Sequence, residues 1–168
     1  MDYLHIFLRI VHIVGGIFWV GGTLMMTFFI GPTVGATGEA GQKFIGHLMG
    51  NLKFSQRMSA AAGLTVLAGA LLYWLDARVS SLWASSSTGI GFGIGAVFAI
   101  IGMVYGIMVG KASKSMAQLG MQIQGKPSNE QLAQLQTLQK RQGQYARIAS
   151  ITLILAVFFM AIARFLVF

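Results

Sequence analysis

The sequence predicts an all-α protein, an integral membrane four-helix bundle, from three observations: four long apolar stretches, a scarcity of charge, and a one-sided distribution of that charge. Of its 168 residues, 55% are apolar and 10% charged, whereas an ordinary soluble domain is about a quarter charged. With no cysteine, disulfides, thiolate metal sites, iron–sulfur clusters and covalently attached haem are excluded.

Crossing a hydrocarbon core takes about 20 helical residues, and stretches near 5–31, 57–76, 89–110 and 146–168 meet that requirement. Gly31-Pro32 punctuates the first, Asp76 and Arg78 the second, and Lys111 and Lys114 the third, which Ser85-Ser86-Ser87 precedes. Met1-Asp2-Tyr3 carries no positive charge and no Ala-x-Ala site follows, so the first stretch is expected to remain as an anchor.

Sidedness follows from the Lys and Arg count. Between spans one and two lie Lys43, Lys53 and Arg57; between three and four lie Lys111, Lys114, Lys126, Lys140, Arg141 and Arg147, which makes nine of the twelve basic residues. Both termini are therefore expected outside and both basic connections in the cytoplasm, which points to a multi-pass protein of the inner (cytoplasmic) membrane. The formal charge of +8 then reads as a topology signal and an attraction to anionic lipid, not as a nucleic-acid footprint.

The third connection, 111–145, is expected to form a long cytoplasmic helical hairpin. Leu132, Leu135 and Leu138 recur at helical spacing, and Ser128 with Gln131 forms a capping-box pattern after Gly125-Lys126-Pro127. In 36–56, Phe44, Ile45, Leu48, Met49 and Leu52 fall on one helical face beside Lys43, His47 and Lys53, the pattern of an amphipathic helix at the membrane interface. No repeat divides the chain, so 1–168 reads as one membrane domain.

In the third span, Gly91, Gly95, Gly102, Gly106 and Gly110 recur at spacings that let a neighbouring helix approach closely, within the bundle or against another subunit. The chemistry-bearing residues are ionisable groups at membrane depth: Arg9 and His12 in span one and Arg164 in span four. One reading lets the arginines snorkel outward with Asp2 and Asp76 as partners and lets His12 hydrogen-bond to a neighbouring helix. The other makes His12 a ligand for haem iron beside Gly15, Gly16, Trp19 and Gly22, since neutral imidazole is a good iron ligand in a dry interior. If spans one and four run antiparallel, Met160 sits at the depth of His12, so that Met160 or an open position completes the coordination, with Arg9 and Arg164 one turn farther out to hold the propionates. His5 is about 10 Å outward of His12 and outside reach of the same iron.

The run Leu8-Arg9-Ile10-Val11-His12-Ile13, followed by Ile17-Phe18-Trp19-Val20-Gly21-Gly22 and Gly31-Pro32, resembles the opening helix of small CopD-related membrane proteins and of HemJ-type protoporphyrinogen oxidases. The HemJ resemblance implies haem binding at His12. That family's essential lysine near the start of span three is absent, for Gly89 to Gly95 stand there, so protoporphyrinogen oxidation does not carry over. The CopD resemblance implies copper transport without a set of ligands.

The sequence thus points first to a membrane-embedded b-type haem protein for electron transfer or haem handling, within a larger redox or photosynthetic complex or alone. Second comes a cofactor-free accessory subunit that docks on other membrane subunits or on itself, and third copper transport through its ten methionines. Paired carboxylates in the membrane and a nucleophile triad are both missing, which points to a binding role rather than to an enzyme.

Overall fold

The computed structural model describes residues 3–80, 82–123 and 125–167; Asp2 and Phe168, which figure in the expectations above, lie outside them. The described chain is helical throughout, without strands. Helix α1 (Tyr3–Met25) runs through a π-helical stretch, Met26–Ile30, into α2 (Gly31–Ala36). Then come α3 (Gly38–Gly50), α4 (Phe54–Val79), α5 (Ser87–Gln122) and α6 (Asn129–Ile162), closed by a 3-10 turn, Ala163–Phe165. Four of these helical runs, Tyr3–Ala36, Phe54–Val79, Ser87–Gln122 and Asn129–Phe165, are long and apolar enough to cross a membrane.

Local chemistry explains the boundaries. Ser86 caps α5 by accepting from the Gly89 amide at 3.2 Å. Ser128 and Gln131 close a reciprocal capping box on α6, with bonds of 2.9 and 3.2 Å. The reversal before it uses Gly125 at φ +85°, a conformation that costs a residue with a Cβ. At Gly31-Pro32 the sequence predicts a stop, yet the helix continues to Ala36. Pro32 has no N–H to give the carbonyl four residues back, and the widened turn upstream, where the Gly31 amide bonds to the Met26 carbonyl, absorbs the misfit. The true break comes at Gly38, φ +55°.

The bundle is built from two helix pairs. α5 and α6 pack along their length, α1 lies along α4, and the pairs join through α4 against α5 and α1 against α6. Lipid tails are as apolar as leucine, so close fit must hold the helices together. Ala149, Leu153 and Ala156 of α6 are buried, as is Ala163 of the closing turn. Opposite them, Gly91 meets Ala163 and Leu166, Gly95 meets Met160 and Ala156, and Gly102 meets Leu153 and Thr152. The glycine ridge then turns away: nothing lies within 4 Å of a Cβ built on Gly106, and Gly110 comes only to ordinary contact with Ser55. Trp19, Ala62 and Leu153 form the centre where the two pairs meet, with Met58 and Met103 packed around them.

The outside of the apolar helices is covered with exposed large side chains, among them Ile10, Ile13, Ile17, Leu64, Leu67, Ile107 and Val157. Such a surface has no place in water and is what a hydrocarbon solvent requires. At the end formed by the start of α5, Tyr73 and Trp83 meet edge to face at 5.1 Å, and the Arg78 guanidinium lies 4.5 Å over Trp74, an aromatic and cationic composition suited to a bilayer interface.

Candidate functional site

His12 sits in the seam between α1 and α4. Its Nδ1 lies 2.8 Å from the backbone carbonyl of Thr65. A carbonyl only accepts, so Nδ1 carries the proton, and in the neutral ring Nε2 holds the lone pair. Gly69, four residues along α4, makes room for the ring: a Cβ there would stand 2.7 Å from Cε1 and 2.8 Å from Nδ1. The absence of a side chain at 69 therefore lets the imidazole lie against α4 and reach the Thr65 carbonyl. His12 is half-buried, and Nε2 has no hydrogen-bond partner among the described residues.

Thr65 contributes a second feature. Thr23, Thr27, Ser59, Ser113 and Thr152 each satisfy their hydroxyl on the carbonyl four residues back, the usual solution in an apolar helix. The Thr65 hydroxyl does not; it is buried without a hydrogen-bond partner, turned toward Gly15, where a Cβ would come within 2.7 Å. The α1–α4 contact thus collects Gly15, Gly16 and Gly69 around one oriented imidazole and one unpaired hydroxyl.

His5, nearer the start of α1, bonds through Nε2 to Asp76 Oδ1 at 2.9 Å, pinning the end of α4. This corrects one expectation, since Asp76 is held by His5 and not by an arginine. Neither Arg9, half-buried, nor Arg164, exposed on the closing 3-10 turn, has an ion-pair partner among the described residues. Met160 lies in the other seam, its Cγ and Cε against Gly95 of α5. At this end of the bundle α1 pairs with α4 and α6 with α5; α6 reaches the α1 side farther along, where Ser150 bonds to Thr27 at 3.0 Å. The structure therefore gathers His12 with Thr65 and Gly69 in one seam, and keeps Met160 with Gly95 in another.

Sequence reasoning did not find Thr65 or Gly69. Their one signal is complementarity: a Thr and a Gly four apart on one helix, opposite His12, Gly15 and Gly16 on another, make matching small faces at helical spacing. Among the described residues no three His, Asp or Glu side chains converge as a metal-binding group. No protein-family model matches the chain, and no curated protein or solved structure is significantly similar to it.

Proposed function

We propose that this is a multi-pass protein of the inner membrane that holds one b-type haem through His12, for electron transfer or haem handling. The observation that carries the reading is the 2.8 Å bond from His12 Nδ1 to the Thr65 carbonyl. Histidines that ligate metals commonly donate their other nitrogen to a carbonyl or carboxylate, which fixes the ring and leaves Nε2 as the ligand. The unpartnered Nε2 and the surrounding glycines fit that requirement. The haem supplies the one-electron chemistry; the chain's part is to hold the iron and to meet the propionates with Arg9 and Arg164, both free of carboxylates among the described residues. Because Met160 packs against Gly95, the reading takes its open-position form, with Met160 as core. Nine of twelve basic residues in two connections orient both termini outward and the α5–α6 hairpin toward the cytoplasm.

A reduced-minus-oxidised spectrum of protein purified after expression with ample haem tests this reading. A Soret band that His12→Ala removes or shifts supports it; no band, or one indifferent to His12→Ala, removes it. The second reading, a cofactor-free subunit of a membrane assembly, is favoured by Gly106, which is exposed and where an added Cβ would meet nothing within 4 Å. It expects no chromophore, and an oligomer or complex that Gly106→Leu disperses without unfolding the chain.

A further inference from the structure

At the end of the bundle opposite the His5–Asp76 pair, α3 and its corner with α4 combine two unmet needs. The first is apolar. Phe44 and Leu48 stand four residues apart on one face of α3 beside Ile45 and Met49, and Leu52 follows just past the helix end; Phe44 and Leu52 are exposed and the others only half-buried, because α3 touches little beyond α2 and α4. The second is electrostatic. Lys43 and His47 flank that face, and Lys53 and Arg57 follow at the corner, all exposed. Lys43 has Glu39 at 2.8 Å, an open i,i+4 pair of small energetic consequence. Neither Lys53 nor Arg57 has a carboxylate among the described residues. Carboxylates are scarce in this chain, which holds four acidic residues against twelve basic, and of these Glu39 and Asp76 are engaged.

The corner also lies at a definite level. Ser55, beside Lys53 and Arg57, approaches Gly110 of α5, so exposed Lys111 and Lys114 stand just past the same plane, where the apolar part of α5 gives way to polar chain. With the apolar helices spanning a bilayer, that plane would fall at the level of its phosphates. A soluble acidic partner would answer the charges and leave Phe44 and Leu52 in water. A bilayer answers both, with acyl chains for one face and phosphates for its flanks.

We propose that α3 and the α3–α4 corner form a docking surface for anionic phospholipid, with Phe44 and Leu52 seated among the acyl chains and Lys43, Lys53 and Arg57 holding headgroup phosphates. The inference is independent of haem and needs only that the apolar helices span a membrane.

Phe44→Trp in reconstituted vesicles provides the probe, with wild-type protein, carrying Trp19, Trp74 and Trp83, as the background to subtract. Acyl-brominated phosphatidylglycerol and acyl-brominated phosphatidylcholine are compared as quenchers at equal mole fraction. The expected result is strong quenching by both lipids and a preference for the anionic one. That preference falls about fivefold for each of Lys53→Gln and Arg57→Gln, and it collapses in the unsubstituted corner as salt rises from about 50 mM to about 500 mM. The salt series keeps the test intact should the substituted chains fail to fold. The proposal is overturned by absence of quenching, by equal quenching from the two lipids, by a preference that survives both substitutions or high salt, or by inorganic phosphate abolishing the preference. The last result would mark a site for free phosphate, and absence of quenching a face covered by protein.

Discussion

Replacing Gly102 or Gly106 by alanine is the same chemical change one turn apart on α5, and the structure gives the two opposite signs. At 102 the added Cβ would stand 2.8 Å from both Cγ and Cδ2 of Leu153 and 3.1 Å from Thr152 Oγ1. Carbon atoms prefer separations of about 3.5–4.0 Å. Leu153 is 1% exposed and packs with Trp19 at the centre of the bundle, so it has nowhere to turn. Over-packing of this kind costs about 1–3 kcal/mol, and removing a helical glycine returns about 0.5–1 kcal/mol. The net is a loss of roughly 1–2 kcal/mol for Gly102→Ala. At 106 the added methyl meets nothing within 4 Å, and only the gain of about 0.5–1 kcal/mol remains. Equilibrium unfolding in mixed micelles of rising denaturing-detergent fraction, read by tryptophan fluorescence, should separate the variants by about 2 kcal/mol. Two variants within about 0.5 kcal/mol of each other, or Gly106→Ala as the more damaging, would refute the assignment of α5's faces; the latter would place a second chain over Gly106.

Three further outcomes follow from the α1–α4 seam. Gly69→Ala puts a methyl on the His12 ring and should break its bond to the Thr65 carbonyl; nitrogen NMR of labelled histidine reads this directly, and an unchanged Nδ1–H signal contradicts the packing described. Thr65→Val keeps the carbonyl and removes a buried hydroxyl that has no partner, so stability should hold or rise by about 1 kcal/mol; a loss of similar size would mean the hydroxyl is engaged. A double-mutant cycle on His5 and Asp76, whose side chains are 22% and 31% exposed, should give a salt-sensitive coupling below about 1 kcal/mol; coupling above about 2 kcal/mol would be too large for so open a pair.

What could be read from the sequence was local or periodic. Four apolar runs of spanning length and the capping box at Ser128 and Gln131 each lie within one continuous stretch of chain. Pro32 misled because a breaker in sequence becomes a bulge when the surrounding chain is apolar enough to stay helical. Gly106 and Gly110 continue the spacing of Gly91, Gly95 and Gly102, yet steps of four residues drift round the helix, so these two leave the contact face while α5 still meets α6 through Tyr105 with Tyr145 and Ser113 with Gln142. The partners of the histidines were least legible. Charge alone offers Asp76 to the arginines in one of the two readings, whereas register along the α1–α4 pair gives it to His5. The same register brings His12 to Thr65 and Gly69, and no spacing within either helix encodes it. Depth alone pairs Met160 with His12, but depth does not specify the seam, and Met160 packs against Gly95.

The absence of native cysteine permits the most direct measurement, single cysteines treated with a membrane-impermeant maleimide in intact membranes. Ile13, Leu67, Ile107 and Val157 are each half or more exposed on the bundle, and Gln134 is exposed on the hairpin part of α6. With hydrocarbon around the bundle, a cysteine at 134 should label once its side of the membrane is opened, and cysteines at 13, 67, 107 and 157 should stay unreactive until detergent disperses the bilayer. Labelling of those four at the rate of 134 in undisturbed membranes would contradict it, because water would then be the solvent of these faces.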